Sequence, residues 1–250
     1  MLYVLICAAG IAMCCLIGAV LGFFLEEIPP RLEDGITGAA AGIMLCAAVQ
    51  GLIAPAVESS GGALWIPAFG IMLGALFLSL LERLSPELGG LMGMTGEGDA
   101  RARAVVFVAA MAIHHFPEGI AAGVSFGTGN AGDIITVTSS IAVQNIPECM
   151  IIIPPLLKCG SGRRRAALVA AVSGGVEVLG VFFGYFAVSL SCAILPYALS
   201  FAAGTMLFVI CDDMLPQSHR GEHGRLATYT ALIGFSLMLC LSLAVSYTDF

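Results

Sequence analysis

The amino-acid sequence predicts an all-α integral membrane protein with eight transmembrane helices. Three observations indicate this fold class: an apolar composition, a series of apolar runs of helical length, and a strict placement of the basic residues. Hydrophobic residues make up 59% of the 250-residue chain and charged residues only 11%, with a mean hydropathy of +0.99. Soluble domains contain about 25% charged residues, so this composition excludes an ordinary soluble protein.

The apolar runs each contain about 20 residues, enough for a helix that rises about 1.5 Å per residue to cross about 30 Å of hydrocarbon. The runs are continuous, whereas the strands of a membrane β-barrel alternate apolar and polar residues, so helices are predicted. The predicted spans 1 to 8 cover, in chain order, residues 3–23, 35–57, 62–81, 104–127, 132–157, 166–190, 192–213 and 226–247.

The ten Lys and Arg residues determine the predicted orientation. All of them lie in connections that follow odd-numbered spans, and by the positive-inside rule these connections face the cytoplasm. Both termini are therefore expected outside the cell membrane. The basic residues are Arg31 after span 1; Arg83, Arg101 and Arg103 after span 3; Lys158 and Arg163 to Arg165 after span 5; and Arg220 and Arg225 after span 7.

No long linker divides the chain, so we expect a single transmembrane domain over residues 1–250, surrounded by the lipid bilayer. Its longest connection, residues 82–103, is rich in Gly and charged residues and is expected to be a cytoplasmic loop. The net charge of −7, with no basic patch outside the cytoplasmic connections, gives no reason to expect nucleic acid as a partner. The nine cysteines form no CxxC pair and are interpreted as small buried hydrophobic residues.

Spans 2 and 7 contain a similar short sequence. AAGIML occupies residues 40–45 and AAGTML residues 202–207, and each is followed about ten residues later by a proline, Pro55 or Pro216. The same offset carries span 1 onto span 6 and span 3 onto span 8, and leaves spans 4 and 5 unmatched. Because spans 2 and 7 have opposite predicted orientations, we expect inverted three-helix repeats, spans 1–3 and 6–8, around spans 4 and 5. This arrangement is typical of secondary transporters.

Spans 4 and 5 each carry a polar motif near the middle, and the two motifs share a frame. Span 4 reads HHFPE at residues 114–118, and span 5 reads QNIPE at residues 144–148. At about 100° per residue, each glutamate lies on the arc between the two polar residues that precede it. If the helices face each other, Glu118 and Glu148 meet at the centre with neutral ligands on either side. This pattern predicts two metal ions bridged by carboxylates.

Span 6 adds a third carboxylate, Glu177, at a comparable depth. A charged side chain at the bilayer centre costs about 2.5–3.5 kcal/mol on insertion scales. No Lys or Arg lies within a predicted span to neutralise the three glutamates. Two divalent cations neutralise them, and the remaining positive charge is available to a water, a hydroxide or a further ligand.

These residues together resemble the ZIP (Zrt/Irt-like) family of metal transporters, and in particular its GufA-like branch. The resemblance covers essentially the whole chain. It implies inverted three-helix repeats that sandwich helices 4 and 5, import of divalent metal toward the cytoplasm along those two helices, and a homodimer. It is carried by HHFPEG at residues 114–119, QNIPE at 144–148, the span 6 glutamate after SGG, and AAGTMLFVICDDMLPQSH at 202–219.

The resemblance also implies the roles of individual residues. The expected cargo is zinc, or else iron, manganese, cobalt or cadmium, and no catalytic cofactor is expected. Carried over by position, the main transport site consists of His114, Glu118, Gln144 and Glu148, and the second site of His115, Asn145 and Glu177 with the two bridging glutamates.

The sequence departs from the family pattern at two of these positions and at the residue after Glu148. His115 stands where the family often has Asn, which favours zinc or another borderline metal at the second site. Gln144 stands where many members have His, which weakens the first site. Cys149 replaces the usual Gly after the span 5 glutamate, and a role as a space-filling residue is favoured over one as a ligand for soft ions.

The polar cluster near the inner end of span 7 has two possible roles. Its residues could receive the ion on release, but solvated loop residues are favoured. The cluster consists of Asp212, Asp213, His219, Glu222 and His223.

A protein of a different class, an intramembrane metal-dependent hydrolase, is the alternative. A zinc hydrolase needs an open coordination position and a base that activates water, and the same residues can supply both. Nothing in the sequence resembles a substrate pocket, and the inverted repeat suits transport, so a transporter rather than an enzyme is expected.

Overall fold

The computed structural model describes residues 1–24, 28–83, 114–158 and 162–247. Within these ranges the regular secondary structure is helical, with no β-strand. We number the helices in chain order: α1 Leu2–Phe24, α2 Pro30–Ser59, α3 Trp65–Arg83, α4 residues 114–125, α5 Ala131–Lys158, α6 Arg163–Leu190, α7 Leu195–Ser218 and α8 Gly224–Tyr247.

The described helices confirm an all-α membrane protein. Six of them, α1, α2 and α5 to α8, are long and apolar enough to cross a membrane, and α3 contains a shorter apolar stretch, Trp65–Leu81. The first part of predicted span 4, residues 104–113, and most of the predicted loop 82–103 lie outside the described residues.

The predicted ends of the spans differ most from the structure at α2 and α7. Helix α2 begins at Pro30 rather than at residue 35, because proline has a backbone angle suited to the first helical turn and lacks only an N–H that would be unpaired there. Helix α7 ends at Ser218 rather than at residue 213, so two aspartates predicted at its inner end lie within the helix.

Helices α2 and α7 share an unusual local structure. Each contains a π-helical turn, Ala47–Ile53 in α2 and Ile210–Met214 in α7, and the second residue after each turn is a proline, Pro55 or Pro216. Proline removes one helical hydrogen bond and its ring clashes with the carbonyl four residues earlier, and a wider turn relieves this clash. The similar sequences of the two spans therefore fold alike.

Among the described helices, extensive packing joins α2 to α8, α3 to α7, and α1 to α5. Gly42 of α2 lies against the backbone of Ala231 in α8, and Gly204 of α7 lies against the backbone of Ile71 in α3. Any Cβ atom at either glycine would overlap a carbonyl oxygen of the neighbouring helix. Small residues of this kind allow membrane helices to approach closely.

A second close contact positions the polar residues of α4 and α6. Gly119 of α4 lies against the carbonyl group of Glu177 in α6, and Gly180 of α6 lies against the carbonyl group of Phe116 in α4. Since both glycines lack a Cβ atom, the two backbones touch. The contact brings Glu177 next to the HHFPEG sequence.

Candidate metal centre

The polar motifs of α4 and α5 meet inside the helix bundle, with α6 beside them. All seven residues expected at the metal sites are buried, although charged and amide groups are rarely buried without partners. These residues are His114, His115, Glu118, Gln144, Asn145, Glu148 and Glu177.

Three of them form a compact cluster. His115, Glu118 and Glu148 each offer one ligand atom, and these atoms lie within 4.8 Å of one another. The Nε2 atom of His115 is 3.9 Å from Oε2 of Glu148. Imidazole nitrogen and carboxylate oxygen bind zinc at about 2.0–2.2 Å, so a cluster of this size can surround one ion after small side-chain movements.

The His115 ring is held from behind by a serine of α6. Its Nδ1 atom lies 2.7 Å from Oγ of Ser173, and its Nε2 atom therefore faces Glu148. Metal-binding histidines typically use the second ring nitrogen for such a hydrogen bond, which fixes the orientation of the ring. Ser173 was not among the predicted site residues, because a serine in a small-residue stretch of a membrane helix usually serves packing.

Two amide groups hold two of the glutamates. Gln144 donates from Nε2 to Oε1 of Glu118 at 3.1 Å, and Asn145 donates from Nδ2 to Oε2 of Glu177 at 2.7 Å. Among the residues that the structure describes, the second carboxylate oxygen of each glutamate and both amide oxygens lack a hydrogen-bond partner. A buried acceptor without a partner costs about 1–3 kcal/mol. All four atoms are acceptors, so a cation satisfies them and a further hydrogen-bond acceptor would not.

On the other side of the glutamate pair, a cavity opens toward α7. Its lining includes His114, Glu118, Glu148 and Asp213. Oδ2 of Asp213 lies 3.4 Å from Nε2 of His114, although the Asp213 side chain is 42% exposed. The cavity thus joins the two glutamates to a partly exposed carboxylate.

The position of Asp213 corrects the sequence-based expectation of a solvated loop residue. The π-helical turn of α7 contains Asp213 and places it against His114. The other members of that cluster lie farther along the chain or point outward: Asp212, His219 and Glu222 are exposed and His223 is half-buried. His219 lies 2.9 Å from Oγ1 of Thr228 in α8.

Two cysteines next to the centre are paired, which the sequence did not indicate. Cys15 of α1 and Cys149 of α5 form a disulfide with their Cα atoms 5.4 Å apart. Sγ of Cys149 is also 3.9 Å from Nε2 of His115. The interpretation of these two cysteines as space-filling hydrophobic residues is therefore wrong. Their separation of 134 residues follows no recognisable spacing.

Comparison with known proteins gives a consistent set of relatives. The family model of the ZIP zinc transporters matches residues 93–242. Zinc transporter GufA of Myxococcus xanthus is 41% identical over 179 residues, which are 71% of this chain and 70% of that protein. Zinc transporter ZIPB of Bordetella bronchiseptica is 36% identical over 246 residues, 95% of this chain and 79% of that protein. Human zinc transporter ZIP11 is 31% identical over 323 residues, 91% of this chain and 93% of that protein.

Proposed function

The chain belongs to the ZIP family of zinc transporters, and from this premise we propose that it carries divalent transition-metal ions across the cell membrane into the cytoplasm. Zinc is the proposed main cargo, with iron, manganese, cobalt and cadmium as further candidates. The observation that carries the proposal is the buried cluster of His115, Glu118 and Glu148 inside a bundle of apolar helices. Buried carboxylates at membrane depth need cations, and here an external ion supplies the charge.

Two ions bind side by side, with Glu118 and Glu148 shared between them. Both glutamates line the cavity that also contains His114, and both belong to the cluster that contains His115. The proposed ligands of the first ion are His114, Glu118, Gln144 and Glu148; those of the second are His115, Asn145, Glu177 and the same two glutamates. The acceptor oxygens without hydrogen-bond partners support this assignment.

The ligand types suit transport rather than permanent storage. Imidazole, amide and carboxylate groups bind zinc and similar borderline ions, whereas closed structural zinc sites use mainly thiolates. Asp213 lies beside His114 at the exposed end of the cavity and offers the next carboxylate along the path. An ion held by the glutamate pair can exchange its ligands one at a time in this direction.

For the fold, we propose eight transmembrane helices in one domain over residues 1–250, with residues 82–103 in the cytoplasm and both termini outside. Helices α1 to α3 and α6 to α8 form the inverted repeats around α4 and α5. Support comes from the π-helical turns at matching places in α2 and α7. The packing of α2 on α8 through Gly42 also matches that of α7 on α3 through Gly204. The proposed assembly is a homodimer, as the family resemblance implies.

We propose no catalytic role. The alternative weighed from the sequence, an intramembrane hydrolase, needs a substrate pocket in addition to the metal ligands. The cavity at the glutamate pair instead continues to Asp213 and is otherwise lined largely by apolar side chains such as Ile36, Ile151 and Val209. The relatives of this chain are named as zinc transporters.

The proposed function is tested by uptake of zinc into proteoliposomes that contain the purified chain and a fluorescent zinc indicator. The wild-type protein should give uptake above empty liposomes, and Glu148→Ala should abolish it because both ions lose a ligand. Glu58→Ala, which removes an exposed glutamate near the end of α2, is the matched control and should retain uptake. Normal uptake of zinc, iron and manganese by well-folded Glu148→Ala protein would contradict the proposed site.

A further inference from the structure

The Cys15–Cys149 pair lies at the junction of three helices beside the proposed second metal site. Gly18 of α1 lies directly against the carbonyl group of Ile146 in α5, and this close approach of the two helices lies near the Cys15–Cys149 disulfide. On the α6 side, a Cβ atom added at Gly174 would lie 3.2 Å from the sulfur of Cys15. Both cysteines are almost completely buried.

The sulfur of Cys149 faces the same ring nitrogen that faces the metal-binding glutamate. Nε2 of His115 is 3.9 Å from Sγ of Cys149 and 3.9 Å from Oε2 of Glu148. Around a tetrahedral zinc ion, nitrogen and sulfur ligands lie about 3.5 Å apart, and nitrogen and oxygen ligands about 3.3 Å apart. The two observed distances exceed these values by about half an ångström, so both the sulfur and the carboxylate oxygen lie within reach of an ion bound to Nε2 of His115.

The sulfur of Cys149 is also tied to the proposed second metal site by its position in the sequence. Cys149 directly follows Glu148 on α5, and Ser173 fixes the His115 ring from the opposite side. A thiolate at Cys149 therefore joins an existing set of ligands and does not form an isolated site. In the disulfide, the same sulfur is bonded to Cys15 and is a poor ligand, since metal ions bind the thiolate form of cysteine.

We propose that Cys149 is a redox-controlled ligand of the second metal site and that Cys15 controls its availability. This inference rests on the proposed function of the site. With the pair reduced, the ion is bound by Cys149 together with His115 and Glu148. With the pair oxidised, the sulfur is withdrawn and only nitrogen and oxygen ligands remain.

The change between the two states is a thiol–disulfide exchange. A dithiol reductant supplies two electrons and two protons, the bond between the two sulfur atoms breaks, and two thiols form while the reductant becomes a disulfide. An incoming divalent ion then displaces the thiol proton of Cys149 to water. A disulfide oxidant reverses the first step by accepting the two electrons and two protons.

The sulfur ligand changes which ions the site prefers. Thiolate favours zinc and cadmium over harder ions such as manganese. The reduced protein should therefore bind cadmium at least about tenfold more tightly than the oxidised protein, a change comparable to the gain or loss of a group that supports a metal site. Affinity for manganese should change little between the two forms.

The test uses the purified full chain and cobalt as the spectroscopic probe, because a cobalt–thiolate bond gives a charge-transfer band that nitrogen and oxygen ligands lack. One sample is reduced with a dithiol that is then removed, and a second is oxidised with a small disulfide. Mass spectrometry determines the state of the pair, and bound cobalt is measured by elemental analysis. Variants Cys15→Ser and Cys149→Ser are compared with Cys46→Ser, which alters a buried cysteine of α2 outside the pair.

The proposal requires the thiolate band in reduced wild-type protein and its absence from oxidised protein. Cys15→Ser should show the band under both conditions because Cys149 has lost its disulfide partner. Cys149→Ser should show it under neither, and Cys46→Ser should behave as wild type. Under oxidising conditions, Cys15→Ser should gain a band that wild-type protein lacks. This gain tests the proposal even if Cys149→Ser fails to fold.

Cobalt bound by reduced wild-type protein without the band would overturn the sulfur ligand and leave the proposed transport site intact. An oxidised sample in which both cysteines stay thiols would overturn the redox control. If neither redox form of the wild type binds cobalt or zinc, the proposed function fails as well, and the cysteine proposal fails with it.

Discussion

The two sides of the Glu118–Glu148 pair differ in how firmly their ligands are held. On the α7 side, His114 lines a cavity, and its Nε2 atom lies 3.4 Å from Oδ2 of the partly exposed Asp213. On the α6 side, His115 lies against Ser173, and Asn145 donates to Glu177, with all four residues buried. The same two glutamates thus border an open site and a closed one. An ion on the open side has a route for exchange, whereas an ion on the closed side has a preorganised set of ligands.

The largest loss of zinc uptake is expected when a glutamate shared by the two sides is replaced. Glu118→Gln keeps the size of the side chain and an oxygen for Gln144, but it removes one of the bridging charges. Initial zinc uptake in proteoliposomes should fall at least about 100-fold, because both ions lose a direct ligand and even outer-shell partners of a metal are worth about 10–100-fold. Glu58→Ala serves again as the exposed control. Uptake within twofold of wild type would show that the glutamates do not bridge the ions.

The second-largest loss of zinc uptake is expected when a ligand of the open side alone is replaced. His114→Ala removes the imidazole between the glutamates and Asp213, so ions lose a ligand on the path. We expect uptake to fall about 10–100-fold, with less effect on binding at the closed side. His219→Ala is the matched control, because that histidine is exposed and contacts Thr228 rather than the cavity. If both histidine variants reduced uptake equally, the open side would not be the transport route.

A smaller effect on uptake is expected from the closed side. Glu177→Gln removes a charge next to Asn145 while a carbonyl oxygen remains to accept its hydrogen bond. Zinc affinity of the closed side should fall well over about tenfold, because a proposed ligand loses its charge, and uptake should fall less than in His114→Ala. Binding isotherms and uptake rates on the same preparation separate the two quantities. A larger loss of uptake in Glu177→Gln than in His114→Ala would reverse the roles of the two sides.

The smallest effect is expected from the hydrogen bond behind His115. Ser173→Ala removes the group that orients the ring but leaves every proposed ligand in place. Affinity at the closed side should fall about tenfold, the lower end of the range for such supporting groups, with uptake changed only severalfold. Ser140→Ala is the control, since that buried serine donates only to its own helix at Val137. Equal behaviour of the two serine variants would indicate that Ser173 has a packing role.

The sequence predicted part of the site. Helical periodicity placed each glutamate between the two polar residues that precede it, and left open whether the two helices face each other. The structure shows that Glu118 and Glu148 lie within one cluster with His115. The composition and the apolar runs predicted the membrane class, because runs of about 20 apolar residues have the length of a transmembrane helix. Binding of metal by these residues stays a prediction.

Other features depend on local geometry or distant pairing that the sequence pattern does not encode. Asp213 lies in a π-helical turn of α7 and contacts His114, and the sequence pattern indicated neither the turn nor the contact. Cys15 and Cys149 meet because α1 packs on α5 through Gly18, a contact between segments far apart in the chain. Such pairings follow from helix packing, which hydropathy and periodicity leave open.

The most direct test of the shared glutamate pair is the number of zinc ions bound per purified chain, measured by elemental mass spectrometry in wild type, His114→Ala and Glu177→Ala. Two ligand sets that share Glu118 and Glu148 should give about two ions in wild type and about one in each variant, because each substitution damages one side only. One ion in the wild-type protein would contradict the two-ion site. An unchanged count in Glu177→Ala would equally contradict it, and would assign Glu177 a structural role.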